Sequence, residues 1–229
     1  MTETLNILAF EAATQVCSVA LCVNNNVFYR LEKTPRQSSN FLLPMIDEIL
    51  NEASISLGDL HAIAAGHGPG SFMGVRLVSG VTKGLAFPNN IPVIGISTLN
   101  ILAQTAYQKH GVKSVLCAWD ARMHEIYYGV YRLNDEQIMK PVVADQLVAP
   151  HQLSLPDKYN TLVGNAWSVY YDEFSDGFKK QYSREAVQRA WIYPDARALL
   201  PIAKEKFSHK AYVSASDLEP VYLRNKVTG

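Results

Sequence analysis

One pattern occurs twice along the chain. Ile7–Glu11 and Val115–Asp120 each read as a short apolar strand ending in an acid, and each is followed by a tight turn and a strand rich in β-branched or aromatic residues, Cys17–Val23 and Glu125–Leu133. Duplication of one βββαβα unit predicts an α/β protein of two lobes, 1–110 and 111–229, each with a mixed sheet and helices, and a cleft between them. At 229 residues the chain is long enough for two small lobes to bury a sizeable core.

The first copy is the clearer one. Leu5–Phe10, Cys17–Val23 and Val27–Glu32 are predicted as a meander, with Asn24-Asn25-Asn26 as its hairpin loop. Ser38–Ala53 carries helical periodicity, Ala62–Ala65 reads as a buried strand, and a Gly-rich loop leads into a second helix over Gly74–Ala86. Pro92–Ile96 and Thr98–Lys109 follow as strand and helix. Beyond Asn134 the pattern weakens, and the clearest element there is a helix over Pro194–Phe207, with Pro in its first turn and Asp195 near its positive end.

Charge and cysteine content narrow the function classes. Basic and acidic side chains number 21 each, so the formal charge is zero, and no half of the chain carries a long basic run. A protein that grips nucleic acid by itself needs clustered cations to neutralise phosphates. The nearest thing to such a cluster, Lys204/Lys206/Lys210, reads as the solvated face of a helix. With no apolar run of membrane length and no signal-peptide pattern, a cytoplasmic protein without a membrane partner is expected. Cys17, Cys22 and Cys117 are odd in number and lie in apolar strand-like stretches, which predicts reduced, buried thiols. His61, His67, His110, His124, His151 and His209 show no metal-ligand spacing, so no metal is assigned.

The most informative stretch is Gly66-His67-Gly68-Pro69-Gly70-Ser71-Phe72-Met73-Gly74-Val75-Arg76, between a buried strand and a helix. Glycines there let backbone N–H groups approach an anion at the helix N-terminus, which makes Gly68, Gly70, Ser71, Phe72, Gly74 and Arg76 a candidate nucleotide or anion loop. The plainer alternative is a tight turn whose glycines serve backbone geometry alone. Walker A is excluded because no Gly-Lys-Ser/Thr closes the loop, and Gly-x-Gly-x-x-Gly is absent. A nucleophile elbow is excluded too, since Pro69 and Met73 flank Ser71 where that pattern has glycines.

Gly68–Arg76, together with Lys83–Phe87 and Pro92–Leu99, closely resembles the TsaB family of tRNA threonylcarbamoyladenosine biosynthesis subunits. Phe41–Ile46, Asp120–Met123 and Glu219–Asn225 are similar to the family's motifs as well, and only about 134–215 is weak. The resemblance implies an actin-like, Hsp70-like ATPase (ASKHA) fold shared with the paralogue TsaD, which transfers threonylcarbamoyl to the adenosine beside the tRNA anticodon. It further implies a non-catalytic chain, without catalytic residues of its own, that acts as TsaD's heterodimer partner and activator alongside the ATPase TsaE. Transfer RNA would be bound only through that complex, and self-association of the lone chain stays open.

Particular residues accord with a non-catalytic role. Where TsaD-like proteins place a metal-binding His-x-x-x-His pair, this chain has Thr98 and Leu102, neither of which can replace imidazole as a ligand. An actin-like ATPase turns around phosphate with an acid followed by Gly and Thr or Ser, whereas here Glu11 is followed by Ala12-Ala13-Thr14 and Asp120 by Ala121-Arg122. Glu11 and Asp120 are therefore degenerate phosphate-turn acids. Glu11, Ala12 and Ala13 depart from the family's usual Asp-Thr-Ser, as does Ser38 from a common His. No cofactor of the chain's own is expected, with ATP or ADP only at the interface with TsaD. The rival readings are an autonomous actin-fold ATPase using Glu11 and the Gly-Pro-Gly-Ser loop, or a peptidase.

Two helices carry more apolar surface than one core uses. At 100° per residue the apolar side chains of 41–53 sweep roughly 200°, against a stripe of about 100° for one core-facing side. On the second helix Val75, Val78, Val81, Thr82 and Leu85 form one stripe and Leu77, Gly80 and Gly84 another, with Arg76, Ser79 and Lys83 as the polar third. The predicted partner interface is accordingly Phe41, Leu42, Met45, Ile49, Leu77, Gly80 and Gly84, meeting the equivalent helices of a TsaD-like chain or of a second copy. The alternative is that both helices are buried on two sides within their own lobe.

Overall fold

The computed structural model describes residues 5–33, 38–154 and 161–224. Contacts group them into two compact units, Met1–Ile101 with Pro194–Val221, and Leu102–Tyr193 with Tyr222–Gly229.

In the first unit, strands β1 (Ile7–Glu11), β2 (Cys17–Val23) and β3 (Asn26–Glu32) form the predicted meander. Helix α1 (Ser38–Ala53), strand β4 (Ala62–Gly66), helix α2 (Phe72–Ala86), strand β5 (Val93–Ile96) and the start of helix α3 (Thr98–His110) follow. The sheet order is β3-β2-β1-β4-β5, with β1, β4 and β5 parallel and β2 antiparallel to β1 and β3. Every residue of β1, β2 and β4 is buried, as strands covered on both faces must be. One face, carrying Leu8, Phe10, Val19, Leu21 and Ile63, packs under α1 and α2. Ser18 points to the other face, where its hydroxyl accepts from the Ala196 N–H at 3.0 Å.

That contact corrects the predicted lobe boundary. The sequence assigned all of 111–229 to the second lobe, but the helix α7 (Leu199–Ser208) packs on β1, β4 and β5, burying Leu199, Leu200, Ile202 and Ala203. Val213 then exchanges both backbone hydrogen bonds with Val93, closing the β5 edge, and the Val221 N–H donates to the His67 carbonyl at 2.9 Å. The physical reason is that the second face of an all-apolar sheet needs a cover, which the chain supplies from its far end.

The second unit repeats the pattern. Strands β6 (Ser114–Asp120), β7 (Ile126–Leu133) and β8 (Met139–Val148) form an antiparallel meander, and β9 (Thr161–Val163) lies parallel to β6. Its order, β8-β7-β6-β9, matches β3-β2-β1-β4 strand for strand. The copies then diverge, because three short helices, α4 (Ala166–Val169), α5 (Asp176–Gln181) and α6 (Arg184–Arg189), build the core of this unit. Trp167 is fully buried at its centre, stacked on Phe174 and Phe178 with centroids 5.4 and 5.6 Å away, and its indole N–H donates to the Val163 carbonyl. Cys17, Cys22 and Cys117 are free and buried.

Candidate functional site

The end of β1 is where an acid was singled out. Glu11 is 0 % exposed, and its carboxyl oxygens accept from the Ala13 N–H at 2.6 Å and from the Thr98 hydroxyl at 3.3 Å. Burial pushes its pKa up to about 8 against the opposing pull of those two hydrogen bonds, so the group is held neutral at pH 7. Gly66 makes room for it: a Cβ there would stand 1.6 Å from Oε2. Thr98 and Leu102, at the positions set against TsaD's His pair, are 1 % and 0 % exposed, and Thr98 is spent on Glu11.

The Gly-rich loop closes over this turn. Ser71 N–H donates to the Ala13 carbonyl at 2.8 Å, and the Ser71 hydroxyl caps α2 by accepting from the Gly74 N–H at 3.1 Å. A Cβ on Gly70 or Gly74 would come within 2.5 Å of the Ala13 or Ala12 carbonyl oxygen. The glycines therefore let two backbones pack together, and the turn geometry accounts for them without a ligand. Gly68 has a φ of +106°, which only glycine adopts at ease. Phe72 is half-exposed, with the Arg76 guanidinium 3.7 Å above its ring.

The equivalent turn of the second unit is closed differently. The Asp120 carboxylate accepts from the Arg122 N–H and the Tyr170 hydroxyl, both at 2.7 Å, and pairs with the Arg122 guanidinium at 3.0 Å. Arg122, Met123 and His124 all have left-handed φ values of 56 to 63°. The Arg224 guanidinium holds that turn by donating to the Arg122 carbonyl and to Glu125. Among the described residues, no three His, Cys, Asp or Glu side chains gather as a metal ion would require.

The predicted partner interface is partly overturned. Leu42, Met45 and Ile49 are 0, 5 and 0 % exposed and belong to the core of the first unit. α1 lies across β2 and β3, and the wide apolar arc, Leu43 excepted, is consumed by that sheet and by α2. Phe41 and Leu77 are half-buried at the rim of the same core, and Ser79, assigned to a polar stripe, is buried. Gly80 and Gly84 do lie on an exposed face, and among the described residues a Cβ at either would meet no packing neighbour within 4 Å. Sequence reasoning missed large exposed residues: Met73 is 72 % and Phe87 70 % exposed at the two ends of α2, and Leu43 on α1 is 50 % exposed. Their spacing was a usable signal, since Met73, Gly80 and Phe87 recur every seven residues on one stripe.

Residues 32–228 match the family model described as TsaD, tRNA N6-adenosine threonylcarbamoyltransferase. The tRNA threonylcarbamoyladenosine biosynthesis protein TsaB of Escherichia coli (strain K12) is 37 % identical over 228 residues, covering 97 % of this chain and 96 % of its own length. Its counterpart from Haemophilus influenzae is 34 % identical across 99 % of this chain and 96 % of its own. The chain belongs to the TsaB family. The solved structure titled YeaZ from Pseudomonas aeruginosa superposes with a TM-score of 0.85 at 34 % identity, covering 96 % of this chain and 100 % of that one. The fold is thus the actin-like α/β fold, and the TsaB resemblance drawn from the Gly-Pro-Gly-Ser loop extends through 134–215, where the sequence motifs were weak.

Proposed function

We propose that the chain is a non-catalytic subunit for threonylcarbamoyl transfer to the adenosine beside the tRNA anticodon, acting as heterodimer partner and activator of a TsaD-like paralogue. A TsaE-like ATPase completes the set, tRNA is held through the complex, and ATP or ADP is met only at the interface with the paralogue. The observation that carries the reading is the outer face of α2. Two glycines inside a helix cost about 1 kcal/mol each relative to alanine, and among the described residues no packing neighbour comes within 4 Å of either missing Cβ. Flanked by exposed Met73 and Phe87, they form a trough into which another helix fits closely. The chemistry-bearing positions support the same reading from the other side, because Glu11, Thr98 and Leu102 are turned into the core.

Reconstitution tests this. With its host's TsaD-like and TsaE-like proteins, ATP and the threonylcarbamoyl donor, the chain is expected to be required for tRNA modification while neither modifying tRNA nor hydrolysing ATP alone. Robust ATP turnover by the purified chain, abolished by changing Glu11 or Ser71, would overturn the proposal in favour of an actin-fold ATPase.

A further inference from the structure

The turn after β6 is bent against the preference of its own residues. Arg122, Met123 and His124 hold φ values of 63, 56 and 58° in a row, a region that residues with a Cβ enter at a cost, and such a run persists only where neighbouring groups over-determine it. Here they do. Within the turn the Ala121 N–H donates to the Glu125 carbonyl at 3.0 Å, the Glu125 N–H to the Arg122 carbonyl at 3.2 Å and the Arg122 N–H to the Asp120 carboxylate at 2.7 Å. Arg224 then closes over it, donating through Nε to the Glu125 carboxylate and through Nη2 to the Arg122 carbonyl, each at 3.1 Å.

The third nitrogen of that guanidinium has a poorer acceptor. Nη1 donates to the Met123 sulfur at 3.4 Å, and a thioether accepts only weakly, so this corner of the fork holds the turn least. The Met123 side chain is 64 % exposed, whereas Met45 and Met139 are buried. Among the described residues a peroxide in solution therefore reaches Met73 and Met123, and at Met123 a cation already stands against the sulfur. In the reaction a sulfur lone pair attacks one oxygen of hydrogen peroxide, the S–O bond forms as the O–O bond breaks, and the proton on the transferred oxygen passes to the departing hydroxide, which leaves as water. Sulfur gives up two electrons and the peroxide takes them. The product is polar, and its oxygen offers the guanidinium a charge-assisted hydrogen bond, about twice as strong as a neutral one.

We propose that Met123 is an oxidation site, that Arg224 captures its sulfoxide oxygen, and that this capture stiffens the turn after β6. A sulfoxide reductase working with a dithiol removes the oxygen as water and restores the weak contact, so the change is reversible. The test treats the chain with hydrogen peroxide in a Met73→Leu background, with peptide mapping to assign the sulfoxide to residue 123. Amide exchange read by NMR at Ala121, Arg122 and Glu125, whose N–H groups are bonded within the turn, should slow by about tenfold on oxidation. It should return to its starting rate after treatment with reductases for both sulfoxide epimers and dithiothreitol. Arg224→Gln removes the cation, so oxidation at Met123 should then leave exchange as it was. If Arg224→Gln does not fold, the Arg224 guanidinium N–H signals decide, since they should slow in exchange on oxidation and stay unchanged when peroxide is added to Met123→Leu. Exchange in the turn that is unchanged or faster after oxidation, or that slows equally in Arg224→Gln, overturns the proposal. So does a parent chain in which Met73 is converted by peroxide and Met123 is not.

Discussion

A single buried carboxyl sets a pH dependence that can be measured. The folded chain keeps the Glu11 proton up to about pH 8, whereas the unfolded chain releases it near its ordinary value of 4.5. The stability tied to this group is therefore complete below about pH 4.5 and drains away as pH rises toward 8, by up to about 1.4 kcal/mol per pH unit. His67 has the opposite sign. Burial, with Lys206 nearby, lowers its pKa from 6.5 to about 4, so its contribution is present above 6.5 and lost as pH falls toward 4. The two slopes oppose each other between about 4.5 and 6.5, and Glu11 acts alone from there to about 8. Glu11→Gln keeps an acceptor for the Ala13 N–H and removes the titration. Melts of the two proteins between about pH 5 and pH 9 should show a gap that grows with pH in favour of the variant and levels off above about 8. A gap constant across the range would mean that the carboxyl is not held neutral in the fold.

At the level of elements, α1 and α2 present the same excess of apolar residues in sequence and use it differently in space. On α1 the surplus is internal, so Leu42→Arg or Ile49→Arg should unfold the first unit, placing an unpaired charge in a fully buried position at a cost of several kcal/mol. On α2 the surplus is external. Among the described residues Gly84→Ala meets no packing neighbour within 4 Å, so it should raise the isolated chain's stability by up to about 1 kcal/mol while, on the proposed pairing, weakening binding to a TsaD-like protein. Stabilisation without loss of binding would leave the glycine without a role. This contrast marks what the sequence could convey. Ser38–Ala53 and Cys17–Val23 were legible to the residue, because their periodicity is a local property. Which neighbour an apolar arc meets is a tertiary fact, and α1 is covered by strands that no helical wheel contains. Gly80 and Gly84 were legible because the cost of glycine in a helix is local whatever surrounds it. β8 went unread because it is an edge strand whose exposed Pro141, Val142 and Ala144 break apolar alternation, and α4 to α6 are four to six residues long, too short to establish a period. The Glu11 site was half legible: the acid and its missing glycine stood out, but the Thr98 hydroxyl and the space left by Gly66 come from elements that only the fold brings beside it.

For the whole molecule, charge balance decides how it can take part in chemistry on RNA. Twenty-one basic side chains offset by twenty-one acidic ones leave no net field to draw in a polyanion. Several exposed cations are also spoken for: Arg30 pairs with Glu48 and Glu52, Arg184 with Asp172, and Arg122 with Asp120. Binding that depends on phosphate contacts weakens with salt in proportion to the number of phosphates neutralised, so a protein without net positive charge or a long basic run should bind weakly and with a shallow salt slope. We therefore expect fluorescence anisotropy of labelled tRNA with the isolated chain to give no tight complex at physiological salt. On the proposed pairing, adding a TsaD-like protein should produce both affinity and a steeper salt dependence, because that protein would then supply the cations. Tight, strongly salt-dependent binding by the isolated chain would reveal a basic surface assembled from residues distant in sequence, and tRNA recognition would then have to be shared between the two subunits instead of resting with the paralogue.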